Sequence, residues 1–388
     1  MRYRLQKSEL YNCSILFHFI QRLILYSSFY NIIPGIVPTL LNYMSIACLI
    51  LKCITEVWQE KFTLKWLISA IVLFPFLWIG SICANSDELL WILIYIITAK
   101  NVEPRSIAKT IYVVCGIGTV VIIACALIGI IPNNYELAVN STGKVIVRMY
   151  MGFIHCNVFG TFLSTIFLCH FFIRFNRVNK LDVLFGVILI CISAFVAYSR
   201  TNALIMLIGL MCMKFYTVPS RKLIGITLCI MSVAAILSVV LSVNYDPSNN
   251  AMVVLNKVLT GRLSAAKEAY DQYGFSIMGQ DFQTIFETST VAFGESGKQQ
   301  QVIDNAFMHL LVHYGIFPTA LLMWYYFSNV VWLYKTQQLN VLFVVFLSFI
   351  QGVSEGNIYS SYNAVLFILA ATQYQRMSQR KGALIING

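Results

Sequence analysis

Polar side chains are concentrated where one apolar stretch begins. Residues 148–160 read Arg-Met-Tyr-Met-Gly-Phe-Ile-His-Cys-Asn-Val-Phe-Gly, which brings Arg148, His155 and Asn157 close together in sequence. A guanidinium binds anionic oxygens, and an imidazole accepts or donates a proton near neutral pH. The spacing of seven residues predicts that Arg148 and His155 share a helix face if the helix already includes Arg148. An interfacial arginine beside a capping or packing histidine is the alternative explanation.

Two more arginines are candidates for the same site. Arg200 separates two apolar runs almost without a loop, in Tyr-Ser-Arg-Thr-Asn, and Arg262 follows a Thr-Gly pair in a long polar segment. Together with Arg148 they predict a site for an anion such as a diphosphate, because guanidinium binds phosphate oxygens bidentately and stays charged. The alternatives are an interfacial role for Arg200 and a solvated loop charge for Arg262.

A carboxylate and an amide close the long polar segment. Asp304 and Asn305 directly precede an apolar run, where Asp304 could act as a base or cap the following helix. His309 and His313 follow four residues apart, but no carboxylate motif accompanies them, so we predict no metal site there. We predict no other metal or cofactor either, since the sequence has no glycine-rich phosphate loop and no paired cysteine motif.

The composition indicates a membrane protein. Of the 388 residues, 59% are hydrophobic and 11% are charged, and the mean hydropathy is +0.74. Soluble domains carry about 25% charged residues. We therefore predict an all-α polytopic membrane protein, with one integral membrane domain over residues 1–388 and about twelve spans. The predicted spans are 11–31, 36–51, 66–84, 88–99, 110–131, 152–173, 181–198, 201–215, 223–243, 306–334, 340–353 and 359–375.

The distribution of basic residues predicts the orientation in the membrane. With the N-terminus inside, 19 of the 27 lysines and arginines fall on the cytoplasmic side, which satisfies the positive-inside rule with both termini cytoplasmic. The net charge of +11 therefore reflects topology rather than nucleic acid binding. The outer face then carries residues 132–150 and a long extracytoplasmic loop, residues 244–305. Apolar residues at spacings of three and four predict a helix in this loop. These residues are Leu255, Leu259, Leu263 and Ala266.

Several short segments, taken in order along the chain, form a recognisable set. They are Gly152-Phe153-x-His155-x-Asn157-x-x-Gly160 after Arg148, Ser199-Arg200-Thr201, Thr260-Gly261-Arg262-Leu263, Gly279-Gln280-Asp281-Phe282, and Asp304-Asn305 leading to Gly315-Ile316. This set resembles the Wzy-type polysaccharide polymerases of the O-antigen ligase and polymerase superfamily. The chain departs from the family at Cys156, where proline is frequent, and at Asp304, where related ligases tend to have histidine.

The resemblance implies a GT-C-like membrane enzyme that needs no cofactor. It would work at the outer face of the bacterial plasma (inner) membrane and transfer a growing O-antigen, capsule or exopolysaccharide glycan from undecaprenyl diphosphate onto a lipid-linked repeat unit. The implied partners are the undecaprenyl-diphosphate-linked oligosaccharide, the lipid bilayer, a chain-length regulator and a flippase. Nucleic acid is not among them.

The resemblance also assigns roles to the candidate residues. The base that accepts the proton of the acceptor hydroxyl would be His155 or Asp304. Asn157 and Asn305 would contact substrate or support the local structure. The diphosphate would be bound by Arg148, Arg200 and Arg262.

Two other functions fit part of the pattern. A ligase that moves finished glycan to a lipid core or a protein shares the fold and the arginines, and differs in its acceptor. A transporter or flippase of lipid-linked oligosaccharides would place charged sites near the bilayer midplane. The candidates lie at the outer ends of the predicted spans, which favours an enzyme. Arg22, inside the first apolar segment, is the exception and would contact substrate or lie at the interface.

Overall fold

The computed structural model describes residues 2–59, 75–139, 145–216, 221–259, 261–281, 303–360 and 363–372. These residues form a mainly α-helical membrane protein with one short β-hairpin. In chain order the elements are α1 (Arg2–Leu25), α2 (Ile36–Gln59), α3 (75–83), α4 (Glu88–Thr98), α5 (Pro104–Leu127), β1 (Tyr135–Val139), β2 (Val145–Met149), α6 (Cys156–Arg174), α7 (Lys180–Cys191), α8 (Arg200–Tyr216), α9 (Arg221–Val243), α10 (Asn250–Val258), α11 (Arg262–Tyr273), α12 (Ala306–His309), α13 (Ile316–Lys335), α14 (Leu339–Gln351) and α15 (364–372). Short π-helical turns follow α7 at Ile192–Val196 and α12 at Leu310–Tyr314, and 3₁₀ turns occur at Ser28–Asn31, Phe175–Arg177 and Gly356–Tyr359.

Five helices in the described part of the chain are long and apolar enough to cross a membrane. They are Ile36–Thr55, Pro104–Leu127, Cys156–Arg177, Gly225–Val243 and Ile316–Lys335. Two more apolar helices, α4 and α14, are shorter. The prediction of a helical membrane protein is therefore confirmed, whereas the count of about twelve spans stays a prediction. Parts of the predicted spans 66–84 and 359–375 lie outside the described residues.

The predicted span 306–334 consists of two elements rather than one helix. The π-helical turn after α12 ends at Tyr314, and α13 begins at Ile316. Gly315 between them has a φ of +89°, and a Cβ at this position would lie 2.9 Å from the Ile277 carbonyl oxygen. Glycine tolerates both conditions because it has no Cβ. Apolar residues continue on both sides of the glycine, which is why hydropathy alone predicts a single helix.

The interior of the molecule is formed by α6 and α14. In the most apolar stretch of α6, 78% of the residues are buried, compared with 22% in α2 and in α9. Nearly the whole of α14 is buried, and it packs against α6, α8, α9 and α13. The exposed apolar side chains of α2, α5 and α9 leave a large apolar surface, as expected where lipid replaces water.

The chain between α5 and α6 forms a β-hairpin. β1 and β2 pair in antiparallel register, with Glu136 opposite Arg148. Gly152 then has a φ of +82° in the turn that leads into α6. The prediction that Arg148 and His155 share a helix face is therefore wrong, because α6 begins only at Cys156. Extended strand residues replace the two helical turns on which that prediction depended.

The helix predicted within residues 244–305 is divided in two. α10 and α11 are separated at Gly261, whose φ of +83° is left-handed. This break makes Arg262 the first residue of α11. Thr260 and residues 282–302 of the predicted loop lie outside the described residues.

A charged pair joins α1 to α4. Arg22 Nη1 lies 3.2 Å from Glu88 Oε1, and both side chains are largely buried. A buried guanidinium needs such a partner, because an uncompensated charge in an apolar interior is strongly destabilising. The pair explains how α1 carries an arginine within an apolar segment.

A buried polar network joins α6, α8 and α14. Gln351 Nε2 donates to Ser164 Oγ at 2.9 Å and also to Asn202 Oδ1. Asn202 Nδ2 in turn donates to Ser199 Oγ at 2.8 Å. A fully satisfied network of this kind fixes the relative position of the helices that contribute to it. It therefore fixes the positions of the start of α8 and the end of α14 relative to α6.

Replacing Gly160 with alanine is expected to destabilise the protein. A Cβ at this position of α6 would meet Ser199 Oγ and would lie 2.9 Å from Asn202 Nδ2, so α6 and α8 could not keep their close approach. Overpacking of this kind costs about 1–3 kcal/mol. We expect a lower Tm for Gly160→Ala in a thermal unfolding measurement on the solubilised protein.

Gly116→Ala is the matched control for this prediction. Gly116 lies in the spanning helix α5, and apart from its chain neighbours and the backbone of its own helix no atom of the described residues lies within 4 Å of a Cβ built there. Its Tm should be equal to or slightly above that of the wild type, because alanine favours a helix more than glycine does. An equal loss of Tm in both variants would show that helix packing at Gly160 is not the cause.

Candidate functional site

Arg262 lies at the centre of a group of polar side chains that we call the Arg262 cluster. Its Nε donates to Asp304 Oδ2 at 3.2 Å, and its Nη2 donates to Glu355 Oε1 at 3.3 Å. Its Nη1 lies 3.5 Å from Thr201 Oγ1. The start of α11, the start of α8, the residue before the cap of α12 and the turn after α14 therefore meet at one guanidinium. The cluster consists of Thr201, Arg262, Asp304 and Glu355.

The hairpin supplies a second group, the Arg148 cluster, which consists of Glu136, Arg148, His155 and Asn157. Arg148 Nη1 donates to Glu136 Oε2 at 3.2 Å, and Arg148 Nη2 lies 3.4 Å from Asn157 Oδ1. Glu136 and Arg148 are direct cross-strand partners, and opposite charges at such positions stabilise a hairpin. Asn157, in the first turn of α6, thereby connects the hairpin to a spanning helix.

His155 is the N-cap of α6. Its Nδ1 accepts a hydrogen bond from the backbone N–H of Asn157 at 3.1 Å, which satisfies one of the free donors at the helix start. Burial and the nearby charge of Arg148 lower the pKa of His155 from its usual 6.5. The ring is therefore neutral at pH 7, with its proton on Nε2. In this state His155 presents a hydrogen-bond donor, and its lone pair is used by the helix.

The two clusters are close enough to influence each other. Besides the effect of burial, the Arg148 charge lowers and the Asp304 charge raises the pKa of His155. Burial and Asp304 raise the pKa of Glu355 to about 8, while Arg262 and Arg148 lower it. Because Coulomb interactions weaken with distance, these effects require the groups to be neighbours. The Arg148 and Arg262 clusters thus form one site beside the start of α6.

Arg200 lies beside this site without the contacts that Arg262 makes. It is the exposed first residue of α8, and its guanidinium carbon lies 6.0 Å from the centroid of the Tyr198 ring. Its neighbour in sequence, Thr201, belongs to the Arg262 cluster. An exposed arginine at the rim of the site matches the predicted position at the end of a span.

Asn305 has a clear structural role. It is buried, and its Oδ1 accepts hydrogen bonds from the backbone N–H groups of Phe307 and Met308 at the start of α12. Asn305 is therefore the N-cap of α12, and the alternative that Asp304 caps this helix is wrong by one residue. The Asp304 carboxylate is therefore available to accept the hydrogen bond from Arg262.

Two carboxylates of the site are missed by the sequence analysis. Glu136 belongs to no recognisable sequence motif, and only the pairing of β1 with β2 brings it next to Arg148. Glu355 had a usable signal, because it is the only charged residue between Lys335 and Arg376. An isolated carboxylate between two apolar stretches is expensive to bury and is often functional.

Three potential metal ligands also meet in the Arg148 cluster. One ligand atom each from Glu136, His155 and Cys156 lies within 4.8 Å of the others. Glu136 already accepts a hydrogen bond from Arg148, and His155 Nδ1 already accepts one from the start of α6. A cation would have to compete with the adjacent guanidinium for Glu136 and with the helix for His155 Nδ1, so the arrangement does not favour a metal ion.

His309 and His313 contact each other. His309 Nε2 lies 2.9 Å from His313 Nδ1, and His313 Nε2 lies 2.6 Å from the Ala84 carbonyl oxygen. Both ring nitrogens of His313 are thus engaged within the protein, which does not favour metal binding by this pair.

A cavity of about 280 Å³ lies at the opposite end of α6. Arg105, Arg177 and Asn340 are among its lining residues. With a rise of 1.5 Å per residue, α6 separates this cavity from His155 by roughly 28 Å. The cavity is therefore not part of the site.

No protein-family model, curated protein or solved structure matches the chain.

Replacing His155 separates its capping role from its chemical role. His155→Asn keeps a side chain that is well suited to an N-cap, whereas His155→Ala removes the cap and should cost about 1 kcal/mol. We expect the Tm of His155→Asn to stay near the wild-type value and that of His155→Ala to fall. If His155→Asn unfolds as readily as His155→Ala, the cap is not what His155 contributes to stability.

Proposed function

We propose that the protein is a polysaccharide polymerase that transfers a growing glycan from undecaprenyl diphosphate onto a lipid-linked repeat unit. One observation carries the proposal: arginines, carboxylates and a neutral histidine from distant parts of the chain meet at one end of a spanning helix. The family resemblance of the short sequence segments adds the identity of the substrate. The proposal includes membership of the Wzy-type group and a GT-C-like arrangement of about twelve spans.

Arg148 and Arg262 would bind the diphosphate. A leaving diphosphate gains negative charge in the transition state, and fixed guanidinium groups stabilise that charge without a metal. Both guanidinium groups are already held in place by carboxylates, so little ordering is needed when the substrate binds. Arg200 would add a third positive charge at the exposed rim of the site.

Asp304 is a better base than His155. The Asp304 side chain is 32% exposed, so an acceptor hydroxyl can reach it. In contrast, the Nδ1 lone pair of His155 caps α6 and leaves only Nε2–H for the substrate. We therefore assign His155 the role of a hydrogen-bond donor to a substrate oxygen.

The proposed reaction exchanges one glycosidic bond for another. The acceptor hydroxyl oxygen bonds to the anomeric carbon of the donor glycan. The bond from that carbon to the diphosphate oxygen breaks, and its electron pair leaves with the lipid diphosphate. Asp304 accepts the proton of the hydroxyl group, and the arginines hold the departing anion.

The proposed orientation places the site at the outer face of the bacterial plasma membrane. α6 begins at the site and ends near Arg174, Arg177 and Lys180, which form a short basic connection. The positive-inside rule assigns such a connection to the cytoplasm, so the opposite end of α6 would face outward and both termini would be cytoplasmic. A flippase would deliver the substrate to this face, and a chain-length regulator would act on the product.

Arg148→Ala is expected to leave a folded protein that does not polymerise efficiently. Arg148 is partly exposed on the hairpin, so its loss removes a diphosphate ligand without opening the interior. Loss of one such group typically lowers turnover by about 100-fold. Cells carrying this variant should accumulate single lipid-linked repeat units, and Arg200→Ala should act in the same direction.

Lys257→Ala provides the control for charge alone. Lys257 is an exposed cation on α10, within the same predicted outer segment but outside both clusters. Its polymer ladder on a denaturing gel should match that of the wild type. Long polymer at normal levels in Arg148→Ala cells would contradict the proposed role of Arg148.

Profiling of lipid-linked oligosaccharides in a deletion strain tests the function itself. A polymerase predicts surface glycans that contain single repeat units only. A ligase predicts long polymer that stays on its lipid carrier and an unmodified acceptor. A flippase predicts repeat units retained on the cytoplasmic side. Either of the last two outcomes would replace the polymerase proposal.

A further inference from the structure

Glu355 differs from the other carboxylates of the site in its burial. Its side chain is 8% exposed, compared with 32% for Asp304 and 37% for Glu136. It lies in the turn after α14, and its Oε1 accepts a hydrogen bond from Arg262 Nη2 at 3.3 Å. Arg262 therefore offsets the desolvation cost of a negative charge at this buried position.

The charges that face Glu355 come from three other elements. Asp304 before α12 repels a negative charge on Glu355, while Arg262 on α11 and Arg148 on β2 attract it. Burial is the larger cause that raises the pKa of Glu355, and the Asp304 charge adds to it. Because the Arg262 charge opposes both effects, any event that weakens the contact of Glu355 with Arg262 favours the neutral carboxyl group.

Binding of a diphosphate would weaken this contact. Its oxygens compete for the same guanidinium N–H groups, and phosphate is a strong bidentate ligand for arginine. If Glu355 stayed ionised, the site would hold the diphosphate beside two carboxylates, Asp304 and Glu355, at a short distance. A neutral Glu355 removes one of these repulsions and turns a carboxylate acceptor into an O–H donor for a phosphate oxygen.

We propose that the diphosphate of the substrate displaces Glu355 from Arg262, and that Glu355 takes up one proton as it is displaced. Asp304 is more exposed than Glu355 and remains the proposed base. The proton returns to solvent when the lipid diphosphate leaves and Glu355 binds Arg262 again. This inference takes its ligand from the proposed function and adds a proton-coupled step to it. Glu355 acts through Arg262 and is a positioning residue.

Calorimetry on the full-length protein in nanodiscs tests this step. Geranyl diphosphate serves as the probe, and titrations near pH 9, where unliganded Glu355 is ionised, in two buffers of different ionisation enthalpy give the number of protons taken up on binding. We expect the wild type to take up about one proton more per bound diphosphate than Glu355→Gln. Glu355→Gln should also bind the probe more tightly above about pH 8, because wild-type Glu355 is ionised there and the glutamine never is.

Glu268→Gln is the matched control, since Glu268 is an exposed carboxylate on α11, the helix that carries Arg262, and belongs to neither cluster. It should retain the proton uptake of the wild type. Equal uptake in the wild type and in Glu355→Gln would overturn the inference. If binding then still depended on Arg148, the proposed function would stand. If the wild type did not bind geranyl diphosphate at all, the proposed function would fail with it.

A measurement on the wild type alone covers the case in which Glu355→Gln does not fold. Infrared difference spectra on adding geranyl diphosphate should show the carbonyl stretch of a newly protonated carboxyl group, which an ionised carboxylate lacks. The band should shift in deuterated water. Bound diphosphate without this band would overturn the inference.

Discussion

The ion pairs of Arg262 are the interaction on which the site depends. One guanidinium joins α11, the residue before the cap of α12 and the turn after α14, and it also reaches Thr201 at the start of α8. Without it, two neighbouring carboxylates would face each other in a largely buried place. Removing one partner of a buried ion pair typically costs about 3–5 kcal/mol. The same contact therefore closes the fold and assembles the groups that could act on a substrate.

The polar network beneath the site explains why these groups stay in place. Gln351 joins α14 to α6 and α8, and its carbonyl oxygen accepts the backbone N–H of Glu355 at 2.9 Å. The turn that carries Glu355 thus begins at a residue whose side chain is fixed in the interior. Gly160 lets Ser199 and Asn202 approach α6 closely enough to complete this network. The contacts that pack α6, α8 and α14 together consequently also position Glu355 in the site.

The sequence allowed the site to be predicted only in part, for identifiable reasons. Arg148 and Asp304 precede apolar stretches and Arg262 belongs to one of the short segments that carry the family resemblance, so all three could be singled out from the sequence. The carboxylate partners Glu136 and Glu355 could not, because pairing in the fold alone brings them to the arginines; the contact between Arg262 and Glu355 spans 93 positions. Local geometry also misled: a strand, not a helix, carries Arg148, and Asn305 rather than its neighbour caps α12. Apolar periodicity does not reveal a glycine break such as the one at Gly261.

The balance of charges gives the site a basis for selecting its ligand. Two guanidinium groups are set against three carboxylates, so the site offers little net attraction to a passing anion. A small monoanion cannot replace carboxylates on both arginines at once. The diphosphate of the proposed substrate would do so, because it has two phosphoryl groups and each could bind one guanidinium group. Carboxylates that have to be displaced thus act as competitors against weaker anions, and specificity arises from the difference between the two affinities.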